Sequence, residues 1–96
     1  MPYYTFILEY KGGTYMLQTL SGSPNTAFVK GAKSMDAVNV TGLKKAGKAS
    51  LIEQMKSNEI TPVTGLTNVW CKTALISGRL AIVSLIQTDQ NPAPRD

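Results

Sequence analysis

The residues able to do chemistry are few, and their spacing suits it poorly. Histidine is absent, which removes the commonest general base and metal ligand near neutral pH. Of the six carboxylates, Asp89 and Asp96 fall in or beside a polar C-terminal stretch, and Glu9, Asp36, Glu53 and Glu59 form no short-spaced pair. A two-carboxylate site would have to be assembled from distant positions. The single cysteine, Cys71, falls inside a predicted strand with no histidine to activate it, so a buried structural thiol is expected. One cysteine also leaves no intramolecular disulfide and no cysteine metal cluster. The expectation is a chain that is not an enzyme and needs no metal and no cofactor.

One stretch approaches a phosphate-binding motif. Gly42-Leu43-Lys44-Lys45-Ala46-Gly47-Lys48-Ala49 has the glycine and lysine spacing of G-x-x-x-x-G-K-[ST], but Ala49 stands where a magnesium-holding hydroxyl is required and Ser50 comes one residue late. No second, metal-holding acid at the end of a strand accompanies it. A basic helix start is the expected role. Lys44, Lys45 and Lys48, with Lys30 and Lys33 on a preceding helix, remain the candidates for contact with an anion or nucleic acid. No aromatic residue interleaves with them to stack bases.

The elements that would position these residues are legible from pattern. Residues 80–86 (Leu-Ala-Ile-Val-Ser-Leu-Ile) are apolar at both parities, as in a central strand covered on two faces. Residues 69–76 fold back on them through Ser77-Gly78, which pairs Leu75 with Leu80, Thr73 with Ile82, Cys71 with Ser84 and Val69 with Ile86. That face is expected to be the core. At the N-terminus Tyr4, Phe6, Leu8 and Tyr10 alternate with Tyr3, Thr5, Ile7 and Glu9, which gives one strongly apolar face, and Gly12-Gly13 as the loop would set Tyr10 against Tyr15, Leu8 against Leu17 and Phe6 against Thr19.

Between the hairpins, Ser23-Pro24 opens a helix running to about Met35, with Phe28, Ala32 and Met35 as its apolar stripe. Residues 36–41 read as a short strand or an extended connection. Ser50 and Glu53 fit a capping box, which places a second helix firmly over 50–56, with Leu51, Ile52 and Met55 buried, a further turn over 44–48 and a stop at Asn58. Residues 59–68 read as a loop broken by Pro62 and Gly65. The order is ββααββ: an α+β domain over 1–88, with a single antiparallel sheet from two hairpins and both helices on one face. Residues 89–96 read as a flexible polar tail.

That layout leaves the sheet face opposite the helices without a cover. The expected occupants of that face are Trp70, Lys72, Arg79, Val83 and Leu85, with Met16 and Ile7 from the first hairpin. Aromatic and cationic side chains of this kind dominate protein interfaces, so these five residues are the candidate partner-binding set, for a protein partner or for a second copy in a homodimer. The competing expectation is that Trp70 fills a core beneath residues 59–68.

Composition sets the remaining bounds. Ninety-six residues support one domain, and 43% hydrophobic with 17% charged residues is a globular balance. The longest apolar run falls far short of the roughly 18 to 20 residues needed to span a bilayer. With one cysteine and no apolar leader, a cytoplasmic protein without membrane contact is expected. A net charge of +4 favours acidic partners without choosing among them.

Two stretches carry a resemblance. Tyr4-Thr5-Phe6 with Glu9-Tyr10-Lys11-Gly12-Gly13-Thr14-Tyr15, and Gly65-Leu66-Thr67-Asn68-Val69-Trp70-Cys71, are similar to the opening and closing motifs of a group of small uncharacterised bacterial proteins. That group implies no activity. In size and α+β order the chain also resembles the immunity proteins of bacterial toxin systems, a likeness that implies binding and blocking of one cognate toxin. The leading expectation is therefore a non-enzymatic protein-binding module of immunity or antitoxin type. The alternatives are a small nucleic-acid-binding protein using its basic helix region, and a small enzyme built as an obligate dimer with its site between subunits.

Overall fold

A computed structural model describes residues 2–88; the expected tail over 89–96 lies outside the described residues. Seven elements follow in order: β1 (Tyr3–Tyr10), β2 (Gly13–Leu20), α1 (Pro24–Ser34), α2 (Lys44–Ser57), β3 (Thr61–Pro62), β4 (Val69–Ile76) and β5 (Arg79–Gln87). The strands form one antiparallel sheet in the order β2-β1-β5-β4-β3. The α+β class, the antiparallel sheet and the two helices are as expected. The order ββααβββ differs by β3, a two-residue strand inside the expected loop over 59–68 that pairs Thr61 with Cys71 and Pro62 with Trp70.

Both hairpins close through two-residue loops whose residues all have positive φ: Lys11 and Gly12 at 50° and 77°, Ser77 and Gly78 at 52° and 77°. This is the type I′ geometry whose twist matches that of the strands. The second loop is the expected one, and so is its register. In the first, the loop is Lys11-Gly12 rather than Gly12-Gly13, so Leu8 pairs with Tyr15 and Phe6 with Leu17. A type I′ turn needs its glycine most at the second loop position, and Gly12 supplies it. The slip is two residues, so every side chain keeps its face.

Helix α1 begins as expected. Ser23 is the N-cap, its Oγ accepts the Thr26 N–H at 3.3 Å, and Pro24 opens the first turn. Helix α2 starts earlier than the capping-box pattern implies. Leu43 is its N-cap without a side-chain bond, and Ser50 lies mid-helix, where its Oγ accepts from Gln54 Nε2 at 2.8 Å. Residues 36–41 are turns, held by Asp36, which accepts the Val38 N–H at 2.9 Å and the Asn39 amide at 3.1 Å. No helix among the described residues is long and apolar enough to cross a membrane.

The helices cover the sheet face carrying Tyr4, Phe6, Leu8 and Tyr10 of β1, Ala81, Val83 and Leu85 of β5, and Lys72, Ala74 and Ile76 of β4. Phe28, Ala32, Leu43, Leu51 and Met55 complete this core. Helix α1 packs on β1, β2 and β5, and α2 packs on β4. Two glycines sit where helix meets sheet. A Cβ on Gly31 would run into the Phe6 ring, and one on Gly47 would lie 3.1 Å from Ile76 Cγ2.

This reverses the expected core face of the second hairpin. Leu75, Leu80, Ile82, Val69 and Ile86 are on the open side, and Val83 and Leu85 are under the helices. The pairing of β5 with β1 decides it: Phe6 meets Leu85, Leu8 meets Val83 and Tyr10 meets Ala81, so the strong aromatic face of β1 carries that parity of β5 into the core. The run over 80–86 does lie centrally, third of five strands, but the helices cover one of its faces rather than two.

The outer edge of β4 is closed. Residues flanking a two-residue loop exchange both backbone hydrogen bonds and bonded pairs then alternate, so Val69, Cys71, Thr73 and Leu75 turn their backbone groups away from β5. Each has a partner: Gln54 donates to Leu75 O at 2.7 Å and accepts the Leu75 N–H at 2.8 Å, Asn58 donates to Thr73 O at 2.8 Å, β3 pairs with Cys71, and the Val63 N–H donates to Val69 O at 3.0 Å.

Candidate partner-binding surface

The five residues expected to bind a partner do share one sheet face, but it is the covered one. Val83 and Leu85 are fully buried, and Lys72 is 3% exposed. Trp70 is half-buried, tilted at 50° against Tyr4 with ring centroids 6.2 Å apart, and packs on the edge of the core. Of the set only Arg79, at the end of the hairpin, is exposed. Trp70, Lys72, Val83 and Leu85 are therefore fold residues.

Lys72 is the unusual member. Strand alternation points it into the core between Trp70 and Ala74, where its Nζ donates to Met55 O at 2.7 Å and lies 5.1 Å from the centroid of the Phe28 ring. Met55 O belongs to the last turn of α2, where carbonyls lack intrahelical partners and carry the negative end of the helix dipole. The buried ammonium thus closes the helix C-terminus. Burial pushes its pKa below the ordinary lysine value of 10.5. The lysine also lines a cleft of about 340 Å³ with Asn25, Thr26, Val29, Met55 and Lys56.

The uncovered face is built from the other parity. Four rows cross β2, β1, β5 and β4 by register: Gln18, Thr5, Ile86 and Val69; Met16, Ile7, Ser84 and Cys71; Thr14, Glu9, Ile82 and Thr73; and, at the hairpin end, Leu80 beside Leu75. Tyr3 and Leu20 extend it at the opposite corner. Met16 is 68% exposed, Leu75 63%, Leu80 57% and Leu20 41%. Glu9 is the one ionised side chain in these rows. Beside it the face dips into a hollow of about 340 Å³ lined by Glu9, Thr14, Leu80, Ile82 and the Lys11-Gly12 turn. A large exposed apolar patch rimmed by polar residues marks an interaction surface.

Cys71 sits on this face opposite Ser84, half-buried, with its thiol 3.9 Å from Lys72 O. Burial first, and then the nearby Glu9 charge, push the thiol pKa up, which is the reverse of what an activated nucleophile needs. Among the described residues no group of three His, Cys, Asp or Glu side chains could hold a metal ion.

The basic residues divide. Lys30 and Lys33 are exposed on α1, and Lys30 Nζ donates to Leu20 O at 2.9 Å. Lys44 and Lys45 are exposed and Lys48 is half-buried at the start of α2. The structure adds Lys11, whose Nζ lies 2.7 Å from where a Cβ on Gly42 would stand. Only the fold brings the first hairpin turn to that helix start. The phosphate-loop pattern does not form a loop, because Gly47 is inside α2 and buried against Ile76.

The open-face residues Leu75, Leu80, Ile82 and Ile86 were hidden in the sequence by being the more apolar half of their hairpin. No local signal places them outside, because the parity is set by the pairing of β5 with β1. Comparison with known proteins finds no matching family model, no matching curated protein and no matching solved structure.

Proposed function

We propose that this chain is a non-enzymatic protein-binding module whose partner docks on the open sheet face. The observation that carries this reading is the exposure of Met16, Leu75 and Leu80 on a face with a single charge, within a chain of net charge +4. Ile7, Met16, Leu75, Leu80 and Ile82 supply the apolar surface that an interface buries, and Thr5, Thr14, Gln18 and Thr73 with Glu9 supply the polar groups among them. A cognate bacterial toxin is the partner class that the likeness to immunity proteins suggests, in a cytoplasmic setting.

The test uses the tagged chain as bait in lysate of its host, beside a Leu75→Lys, Leu80→Lys variant. The reading expects one stoichiometric protein on the wild type, unaffected by nuclease and missing from the variant, with both baits equally folded by circular dichroism. Equal recovery on both baits would contradict it.

A second reading rests on Lys11 joining Lys44, Lys45 and Lys48 at the start of α2, a cation cluster suited to nucleic-acid phosphates. Its signature is an affinity for nucleic acid that falls steeply with salt and weakens in a Lys11→Ala, Lys45→Ala variant.

A further inference from the structure

The two edges of the sheet are treated differently. Each of the four outward residues of β4 has a partner for at least one of its backbone groups, whereas β2, at the other edge of the sheet, is open. By the same alternation, Tyr15, Leu17 and Thr19 bond to β1, and Thr14, Met16, Gln18 and Leu20 turn their backbone groups outward. Among the described residues only Leu20 O has a partner, the Lys30 ammonium at 2.9 Å.

Exposed edges are ordinarily blunted by a lysine, a proline, a bulge or an inward charge. The strand Gly13-Thr14-Tyr15-Met16-Leu17-Gln18-Thr19-Leu20 has no charged residue and no proline, and it pairs with β1 without a bulge along its whole length.

From this we infer that β2 is a self-pairing edge, at which two copies of the chain join antiparallel into one continuous sheet. Symmetry, charge and the course of the sheet together select a second copy. An antiparallel strand pair about a two-fold axis is self-complementary, so the same outward donors and acceptors serve both sides. Like-charged chains of +4 each can meet along a strand that carries no charge. Continuation of the sheet also sets the two open apolar faces side by side, which extends the surface proposed above.

With Leu20 O already taken, the free groups centre on Met16. The two-fold axis then sets Met16 against Met16 and Thr14 against Gln18 of the other copy, with about six inter-chain hydrogen bonds, two for each directly bonded pair. The pairing involves the edge of the sheet rather than its face, so it stands or falls separately from the partner-binding reading.

The experiment is light scattering with size-exclusion chromatography over a wide concentration range, together with amide hydrogen exchange. The wild type should run at twice the chain mass, with the Thr14, Met16 and Gln18 amides protected although they face away from β1. Met16→Pro removes an outward N–H that β1 does not use and should halve the mass. As a second variant that keeps every backbone donor, Thr14→Lys with Gln18→Lys sets like charges opposite each other and should also give monomer, whereas Thr14→Glu with Gln18→Lys should restore the dimer. The open-face variant Leu75→Lys, Leu80→Lys should remain dimeric. A wild type that is monomeric throughout, or a dimer lost in the open-face variant and kept in both edge variants, would overturn the inference.

Discussion

The two faces of this sheet draw on the same strands and nearly the same residue types, yet one is a core and the other is not. On the covered side, Tyr4, Phe6, Leu8, Tyr10, Val83 and Leu85 lie beneath two helices; on the open side, Ile7, Met16, Leu75, Leu80, Ile82 and Ile86 are half or more exposed at several positions. In the β4–β5 hairpin taken alone the open side is the more apolar, since its covered side contains a lysine and two alanines. The difference teaches that a face is chosen by what can be laid on it. Aromatic bulk on β1, small residues on β4 and β5, and glycines on the helices together make one side shapeable into a close-packed layer.

The sharpest way to break this comparison is to truncate one residue from each side. Phe6→Ala should cost about 3–5 kcal/mol in urea unfolding, while Leu80→Ala should stay within about 0.5 kcal/mol of wild type. Equal losses would mean that the open face is buried against something in the isolated protein. Next in size is Gly31→Ala. Helix propensity alone would gain roughly 1 kcal/mol, but the added methyl meets the Phe6 ring, so a net loss of about 1–3 kcal/mol is expected. A stabilised variant would show that α1 stands further from β1 than described.

Lys72 allows a pH test of the covered side. Its folded pKa lies below the ordinary 10.5, so between those two values the unfolded chain binds more protons than the folded one, and this group's contribution to stability rises with pH across that window. Below the folded value both states are protonated and the contribution is flat. Subtracting a Lys72→Met variant should isolate this rise, and a difference that falls with pH would mean the ammonium is stabilised rather than penalised by its site. The smallest effect belongs to Cys71. With its thiol pKa raised by burial and by Glu9, alkylation at neutral pH should be slower than for a free thiol and modestly faster in Glu9→Gln. A rapid wild-type reaction would contradict that placement.

Much of the fold was legible because local chemistry fixed it. Ser23-Pro24 starts α1, Ser77-Gly78 turns the second hairpin in register, and Tyr4, Phe6, Leu8 and Tyr10 declare a face by recurring at every second position. What was illegible depended on long-range pairing. Nothing near Leu85 says that it will meet Phe6, and that contact alone decides which parity of β4 and β5 is covered. The candidate site inherited the inversion: Trp70, Lys72, Val83 and Leu85 were grouped correctly on one face and assigned to the wrong side of it. Lys72 helped to hide the answer, because a lysine within a strand suggests solvent until the carbonyl at the end of α2 is seen above it. The pattern Ser50-Leu51-Ile52-Glu53 is not a helix start: the turn expected over 44–48 and the segment expected over 50–56 form one continuous helix from Lys44.

The most direct test of the central claim is methyl NMR of the chain, labelled at isoleucine, leucine and methionine and titrated with its captured partner. Docking on the open face predicts shifts at Ile7, Met16, Leu75, Leu80, Ile82 and Ile86, with the methyls of Leu8, Leu51 and Leu85 unmoved. Unchanged open-face methyls, with the response confined to Leu43 and its neighbours beside Lys44 and Lys45, would contradict it and move the binding surface to the start of α2.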